Sequence, residues 1–84
     1  GAEVRICPRD VFTALVRERA EAVIFVHNHP SGDATPSDDD HDLTRKLRDA
    51  GTLVGIRVVD HLIVAQGGFY SFAESTWTAG SRPA

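Results

Sequence analysis

An α/β fold, with a mixed β-sheet flanked by two helices, is what this sequence predicts. Three observations carry that reading. An apolar stripe at helical spacing precedes a short, continuous, β-branched run. A second amphipathic segment follows it. The C-terminal half then holds three further short apolar runs separated by turn residues. The order α-β-α-β-β-β implies one mixed sheet with helices packed against it.

The elements follow in chain order. Cys7-Pro8-Arg9-Asp10 reads as a helix start, with Pro8 at the first helical position and Asp10 in the first turn. Val11, Phe12, Leu15 and Arg19 continue at helical spacing, which predicts a helix from Pro8 to Ala20. Ala22 to His27 is short and β-branched, as suits a buried strand covered on both faces. Asn28 to Pro36 is a loop by its Pro, Ser, Gly and Asp content. A second helix is predicted over Ser37 to Ala50. Leu43, Leu47 and Ala50 form its apolar stripe, Asp42, Arg45, Lys46, Arg48 and Asp49 its wet face, and Gly51 its stop. Leu53–Val59 and Leu62–Ala65 read as two strands meeting at an Asp60-His61 corner. Gln66-Gly67-Gly68 then turns into a hairpin strand over Phe69–Phe72. The domain accordingly spans 1–75, and 76–84 reads as a flexible Ser/Thr/Gly/Pro-rich tail.

Composition narrows the function classes. Eighty-four residues make one small domain with a modest core. The longest apolar run, Ala22–Val26, is far too short to span a bilayer. Cys7 is the single cysteine, so an internal disulfide is excluded, and no secretory signal is visible. A reducing cytoplasm is the expected compartment. The net charge of −3 argues against a dedicated nucleic-acid binder.

The chemistry concentrates in His27-Asn28-His29-Pro30-Ser31-Gly32-Asp33 and the Ser37-Asp38-Asp39-Asp40 that follows. On a strand, residues i and i+2 point to one side, so His27 and His29 can share a metal. Pro30 keeps His29 out of the α region. Asp40 falls on the first turn of the second helix, and a loop folding back over the strand end would deliver it as a third, oxygen ligand. Ser37-x-x-Asp40 is equally a capping-box pattern, and acidic residues are favoured in a first turn with or without a metal. Cap and ligand roles are compatible, because a carboxylate has two oxygens and several lone pairs. The contiguous letters His-Asn-His are not an HNH nuclease signature, which names residues dispersed over a longer motif.

The joint spacing is more specific than its parts. His27-x-His29, seven residues, Ser37, two residues and Asp40 match the H-x-H-x(7)-S-x(2)-D core of the JAMM (JAB/MPN+) metallopeptidases. The wording His27 to Asp33, Thr44-Arg45-Lys46-Leu47 and Gly55 to Val64 resembles the RadC-type branch, as does the helix start at Cys7-Pro8-Arg9-Asp10-Val11-Phe12. This resemblance covers Cys7 to about Glu74 and implies a cytidine-deaminase-like α/β sandwich. It implies one Zn2+ per chain on His27, His29 and Asp40, and Ser37 as the group that stabilises an oxyanion. A peptide or protein substrate is implied with it.

JAMM enzymes also use a glutamate from a strand upstream of the motif as general acid/base. Glu3, Glu18 and Glu21 are the glutamates before His27. Glu3 does not align with the family position, and Glu18 and Glu21 flank the end of the first helix. The expectation is therefore the C-terminal part of a JAB/MPN domain, truncated at its N-terminus, holding a metal site without its base. An opened sheet would leave an edge through which the chain can dimerise. The competing functions are a catalytically silent MPN-type scaffold and a DNA-repair accessory protein. Elsewhere, His41 reads as a solvated neighbour of Asp40 with a substitute-ligand role as the alternative, His61 as a hydrogen-bonded corner with an Asp60-His61 dyad as the alternative, and Cys7 as a small semi-buried residue. Arg45, Lys46 and Arg48 read as a solvated helix face.

Overall fold

The computed structural model describes residues 7–79. Helix α1 spans Pro8–Arg17, with Cys7 as an extended N-cap and the proline in the first turn. It stops short of Ala20 because Arg19 turns left-handed, φ 55°, just after the Glu18 C-cap. Strand β1 (Ala22–Asn28) is followed by α2 (Asp38–Val54), β2 (Arg57–Ala65), β3 (Gly68–Ser71) and β4 (Thr76–Ala79). The sheet order is β1-β2-β3-β4, parallel between β1 and β2 and antiparallel thereafter. This α/β arrangement is compatible with a cytidine-deaminase-like layout. Among the described residues no helix is long and apolar enough to cross a membrane.

The element order matches the sequence reading, but the last three strands are apportioned differently. Leu53 and Val54 belong to α2, and the two apolar runs around Asp60-His61 form one continuous strand. The expected corner is a bulge. Val23 pairs with Val58 and Ile24 with Asp60, leaving Val59 as the extra residue. That insertion puts Val58 and His61 on the same face as Val23 and Phe25. The segment read as a tail begins as a strand, because β4 pairs with β3 and sets Trp77 opposite Tyr70.

Both helices pack on one face of the sheet. Phe12, Phe25, Leu47 and Ile56 form the main buried cluster, joined by Val11, Leu15, Val23, Leu43, Ala50 and Val58. A second cluster of Ala34, Ile63 and Phe72 lies under the loop that follows β1. The expectation that β1 is covered on both faces is therefore corrected. Phe25 is buried, whereas Ile24 and Val26, on the opposite face, are 54% and 61% exposed. Among the described residues β1 is also an edge strand, paired on one side by β2.

Gly51 is not the helix stop. α2 continues to Val54 and ends on Gly55, whose φ of 79° makes it the left-handed cap. Gly51 is instead the place where α2 presses on the chain entering β2. A Cβ built there would stand 2.5 Å from the Ile56 carbonyl oxygen and 2.9 Å from a Val58 methyl. Gly51→Ala should therefore destabilise the chain by about 1–3 kcal/mol through overpacking, against a helix-propensity gain of about 1 kcal/mol. Urea unfolding of the variant checks this, and a rise in stability would mean that the helix can shift without cost.

Candidate metal centre

The first two candidate ligands emerge where β1 ends. Pairing with β2 continues past Asn28, since the His29 N–H donates to the Val64 carbonyl at 2.9 Å. His27 and His29 thus stay on one side of an extended backbone, their rings edge to face at 4.9 Å. The chain then reverses through Gly32, φ 88°, whose N–H returns to the His29 carbonyl. Asp33 stabilises the reversal, its Oδ1 accepting both the N–H and the hydroxyl of Thr35 at 2.9 and 2.7 Å. Those bonds, the Thr35 hydroxyl's foremost, hold the Asp33 carboxyl below its ordinary value. Buried Ala34 anchors the loop to Ile63 and Phe72.

That loop brings the first turn of α2 over the histidines. Ser37 is the N-cap and forms a complete capping box with Asp40. Its Oγ accepts the Asp40 N–H at 3.1 Å, and its own N–H donates to Asp40 Oδ2 at 2.8 Å. Asp38 and Asp39 face solvent while Asp40 is buried. The carboxylate meets both rings, with Oδ1 3.3 Å from His27 Nδ1 and Oδ2 3.1 Å from His29 Nε2. Burial pushes the Asp40 carboxyl up, but hydrogen bonding from Ser37 and the charges of His29 and His27 outweigh it and hold it below its ordinary value.

These three side chains fit a metal. One ligand atom from each of His27, His29 and Asp40 lies within 4.8 Å of the others. The edge of a tetrahedron with bonds of about 2.0–2.1 Å is about 3.3–3.4 Å, close to the two carboxylate–imidazole separations. The His29 tautomer suits the role, because Nδ1 lies 2.9 Å from the Asp33 carbonyl, which can only accept. In the neutral ring Nδ1 therefore carries the proton and Nε2 is the nitrogen left to ligate, the backbone-oriented arrangement common for metal-ligating histidines. His27 Nδ1 is buried without a hydrogen-bond partner among the described residues. A metal would satisfy it. Ser37 stands beside them, and its cap bond uses a lone pair of Oγ, leaving the hydroxyl proton to donate elsewhere.

The remaining candidates separate from this cluster. His41 is exposed and packs edge-on against Phe72 at 5.2 Å. Cys7 is exposed, not semi-buried. Arg45 pairs with Asp42 along the wet face of α2. Glu18 and Glu21 lie beyond the start of β1, the end opposite to His27, a strand length of about 20 Å away at ~3.3 Å per residue. Glu3 lies outside the described residues.

His61 is the residue that sequence reasoning misplaced. It sits within β2, 1% exposed, its ring parallel to those of His27 at 5.9 Å and Phe72 at 4.9 Å. Its Nδ1 is 2.6 Å from Thr44 Oγ1. Asp60 is no dyad partner of the imidazole, since it accepts the His61 backbone N–H, the Ala73 N–H and the Ser71 hydroxyl. Burial holds the His61 imidazole below the ordinary histidine range, and His27 pushes the same way.

Fold and site together define an α/β domain with a His-x-His pair at a strand end and a carboxylate from the next helix, three side chains that could hold a metal. Residues 2–77 match the family model described as RadC-like JAB domain, and the chain belongs to that family. It is similar to a UPF0758 protein of Trichlorobacter lovleyi, 57% identical over 68 residues, which are 81% of this chain and 30% of the relative. A UPF0758 protein of Geotalea uraniireducens is 58% identical over 67 residues, 80% of this chain and 29% of the relative. The Thermotoga maritima relative is 52% identical over 69 residues, 82% and 31% respectively. The chain thus spans about 30% of the length of the curated relatives it matches.

Proposed function

We propose that this chain is the zinc-binding part of a JAMM-type metallohydrolase acting on peptide or isopeptide bonds. The observation that carries the reading is the convergence of two imidazole nitrogens and one carboxylate, with the His29 tautomer already set by Asp33. Bound there, Zn2+ supplies Lewis acidity and a water acidified towards neutrality. His27, His29 and Asp40 would hold it. Ser37 would donate its free hydroxyl proton to the oxyanion that develops as a carbonyl is attacked, an interaction of the kind worth about 3–4 kcal/mol in a transition state.

A scaffold role is less well supported, since scaffolding has no need for an oriented imidazole facing a buried carboxylate. A nucleic-acid role finds a net charge of −3 and a cationic α2 face partly neutralised by its own aspartates. Reconstitution and dialysis should leave one zinc per chain by elemental analysis, and a chain that retains none overturns the proposal.

General acid/base work is a separate matter. Among the described residues, Glu18 and Glu21 are far from the site, and both Asp33 and Asp40 are engaged by hydrogen bonds. The zinc-loaded 84-residue chain is therefore expected to hydrolyse fluorogenic peptide and isopeptide substrates no faster than its metal-free form. Sustained, zinc-dependent turnover that disappears in Ser37→Ala would show that the chain holds its own base.

A further inference from the structure

We propose that His61 is a positioning residue of the metal centre, a strut that orients the His27 ring and ties β2 to the turn of α2 carrying Asp40. The inference rests on reading His27, His29 and Asp40 as ligands.

The hydrogen-bond chain fixes its protonation state. Thr44 Oγ1 lies 2.9 Å from the Asp40 backbone carbonyl, which can only accept, so the single hydroxyl proton points there. The Oγ1 lone pair must then receive a proton from His61 Nδ1 at 2.6 Å. His61 is thereby held as the Nδ1–H tautomer, opposite to the form an imidazole side chain favours free in water. Its Nε2 is left as a bare acceptor, buried with no partner among the described residues. An orphaned buried acceptor is costly, and an aliphatic side chain in that slot would avoid the cost.

What the imidazole provides instead is two links towards the candidate ligands. Through Thr44 it grips the carbonyl of Asp40 itself, one turn back on α2. Its ring lies 5° from parallel to that of His27, while Phe72 backs it at a 14° interplanar angle. His61 therefore lies parallel to the ring of one candidate ligand and is linked to the backbone of another through one hydroxyl. Outer contacts of this kind orient ligands and typically change metal affinity by about 10–100-fold when removed.

The test uses Co2+ as the probe, read by its d–d absorption and by competition with a chromophoric chelator. His61→Phe keeps an aromatic ring and deletes the link, whereas Thr44→Val deletes the link from the other side. Each should weaken Co2+ binding by about 10–100-fold and alter the absorption bands. Thr44→Ser, which keeps the hydroxyl, should stay within about threefold of the parent. The double variant His61→Phe/Thr44→Val should be no weaker than the poorer single variant, because both remove one connection. Long-range nitrogen–proton NMR of the metal-free chain should find the His61 proton on Nδ1. An Nε2–H tautomer, unchanged affinity and spectrum in Thr44→Val, or a Thr44→Ser as weak as Thr44→Val would each overturn the proposal. Should His61→Phe fail to fold, the Thr44 pair and the tautomer decide it. Failure of the parent chain to bind Co2+ or zinc would instead defeat the metal reading, leaving the tautomer to report on the strut alone.

Discussion

Asp40→Ala is expected to abolish stoichiometric zinc binding and to lower the stability of the metal-free chain, because one side chain serves two purposes. Its Oδ2 accepts the Ser37 N–H, closing the capping box, while both oxygens face the histidines. Loss of this reciprocal half of the box costs up to about 1 kcal/mol, while the Ser37 cap bond to the backbone N–H is kept. Loss of one of three protein ligands should weaken zinc by more than about a hundredfold, beyond the range seen for outer contacts. Asp40→Asn separates the two purposes. Its amide oxygen can still accept from Ser37, but it carries no charge and is a poor zinc ligand. This variant should melt close to the metal-free parent and still lose zinc.

Acid provides a second way to separate them. The folded Asp40 carboxyl titrates below its ordinary value of 3.8, so its stabilising contribution is fully present above that value. The contribution disappears as pH falls through the lower, folded value. The parent should therefore lose more stability than Asp40→Asn in that acid window, measured by urea unfolding without metal. Full zinc occupancy in Asp40→Asn would remove Asp40 from the ligand set and leave it as a cap.

The convergence of the three candidate ligands was legible because they are close in sequence and each obeys a local rule. His27 and His29 share a face by strand alternation, and the capping box that explains Ser37 and Asp40 also turns the carboxylate towards them. The support behind that set was not legible, for reasons that are local too. A bulge at Val59 changes the parity of β2, so His61 looks inward where unbroken alternation from Val58 would face it outward. Two polar residues inside an apolar run also read as a corner, although Asp60 is satisfied by Ser71 and Ala73 after β3. Thr44 meets His61 across 17 positions of chain, and nothing in either neighbourhood announces the pairing. Gly51 carries the same lesson. Its closeness to the Ile56 carbonyl is a property of the packed helix and strand, whereas local propensity reads a glycine as an ending. Thr76–Ala79, rich in small polar residues, becomes a strand only because β3 offers it a partner.

Leu47→Ala should produce the largest loss of stability at a single position outside the site, and zinc should recover much of it. Leu47 is fully buried in the cluster that joins α1, α2 and β1. Removing its side chain costs about 2–5 kcal/mol, the transfer free energy plus an unfilled cavity. A domain of this length has only about 4–13 kcal/mol in total, at 0.05–0.15 kcal/mol per residue. The melting temperature should therefore fall by at least about 8 °C, and part of the chain should be unfolded at 37 °C. Leu47 lies seven positions after Asp40 on α2, two turns along one face of the helix. The helix that the core holds against the sheet is thus the one that presents the carboxylate to β1. Metal binding and core packing would then stabilise the same arrangement, and a ligand that binds only the folded state at about a thousand times its Kd adds about 4 kcal/mol. Zinc should raise the melting temperature of Leu47→Ala by nearly the amount the substitution removed. It should do nothing for the Leu47→Ala/Asp40→Asn double variant. A Leu47→Ala chain that loses less than about 1 kcal/mol would show that the core can close over the cavity. A zinc effect that survives Asp40→Asn would place the stabilising metal elsewhere in the molecule.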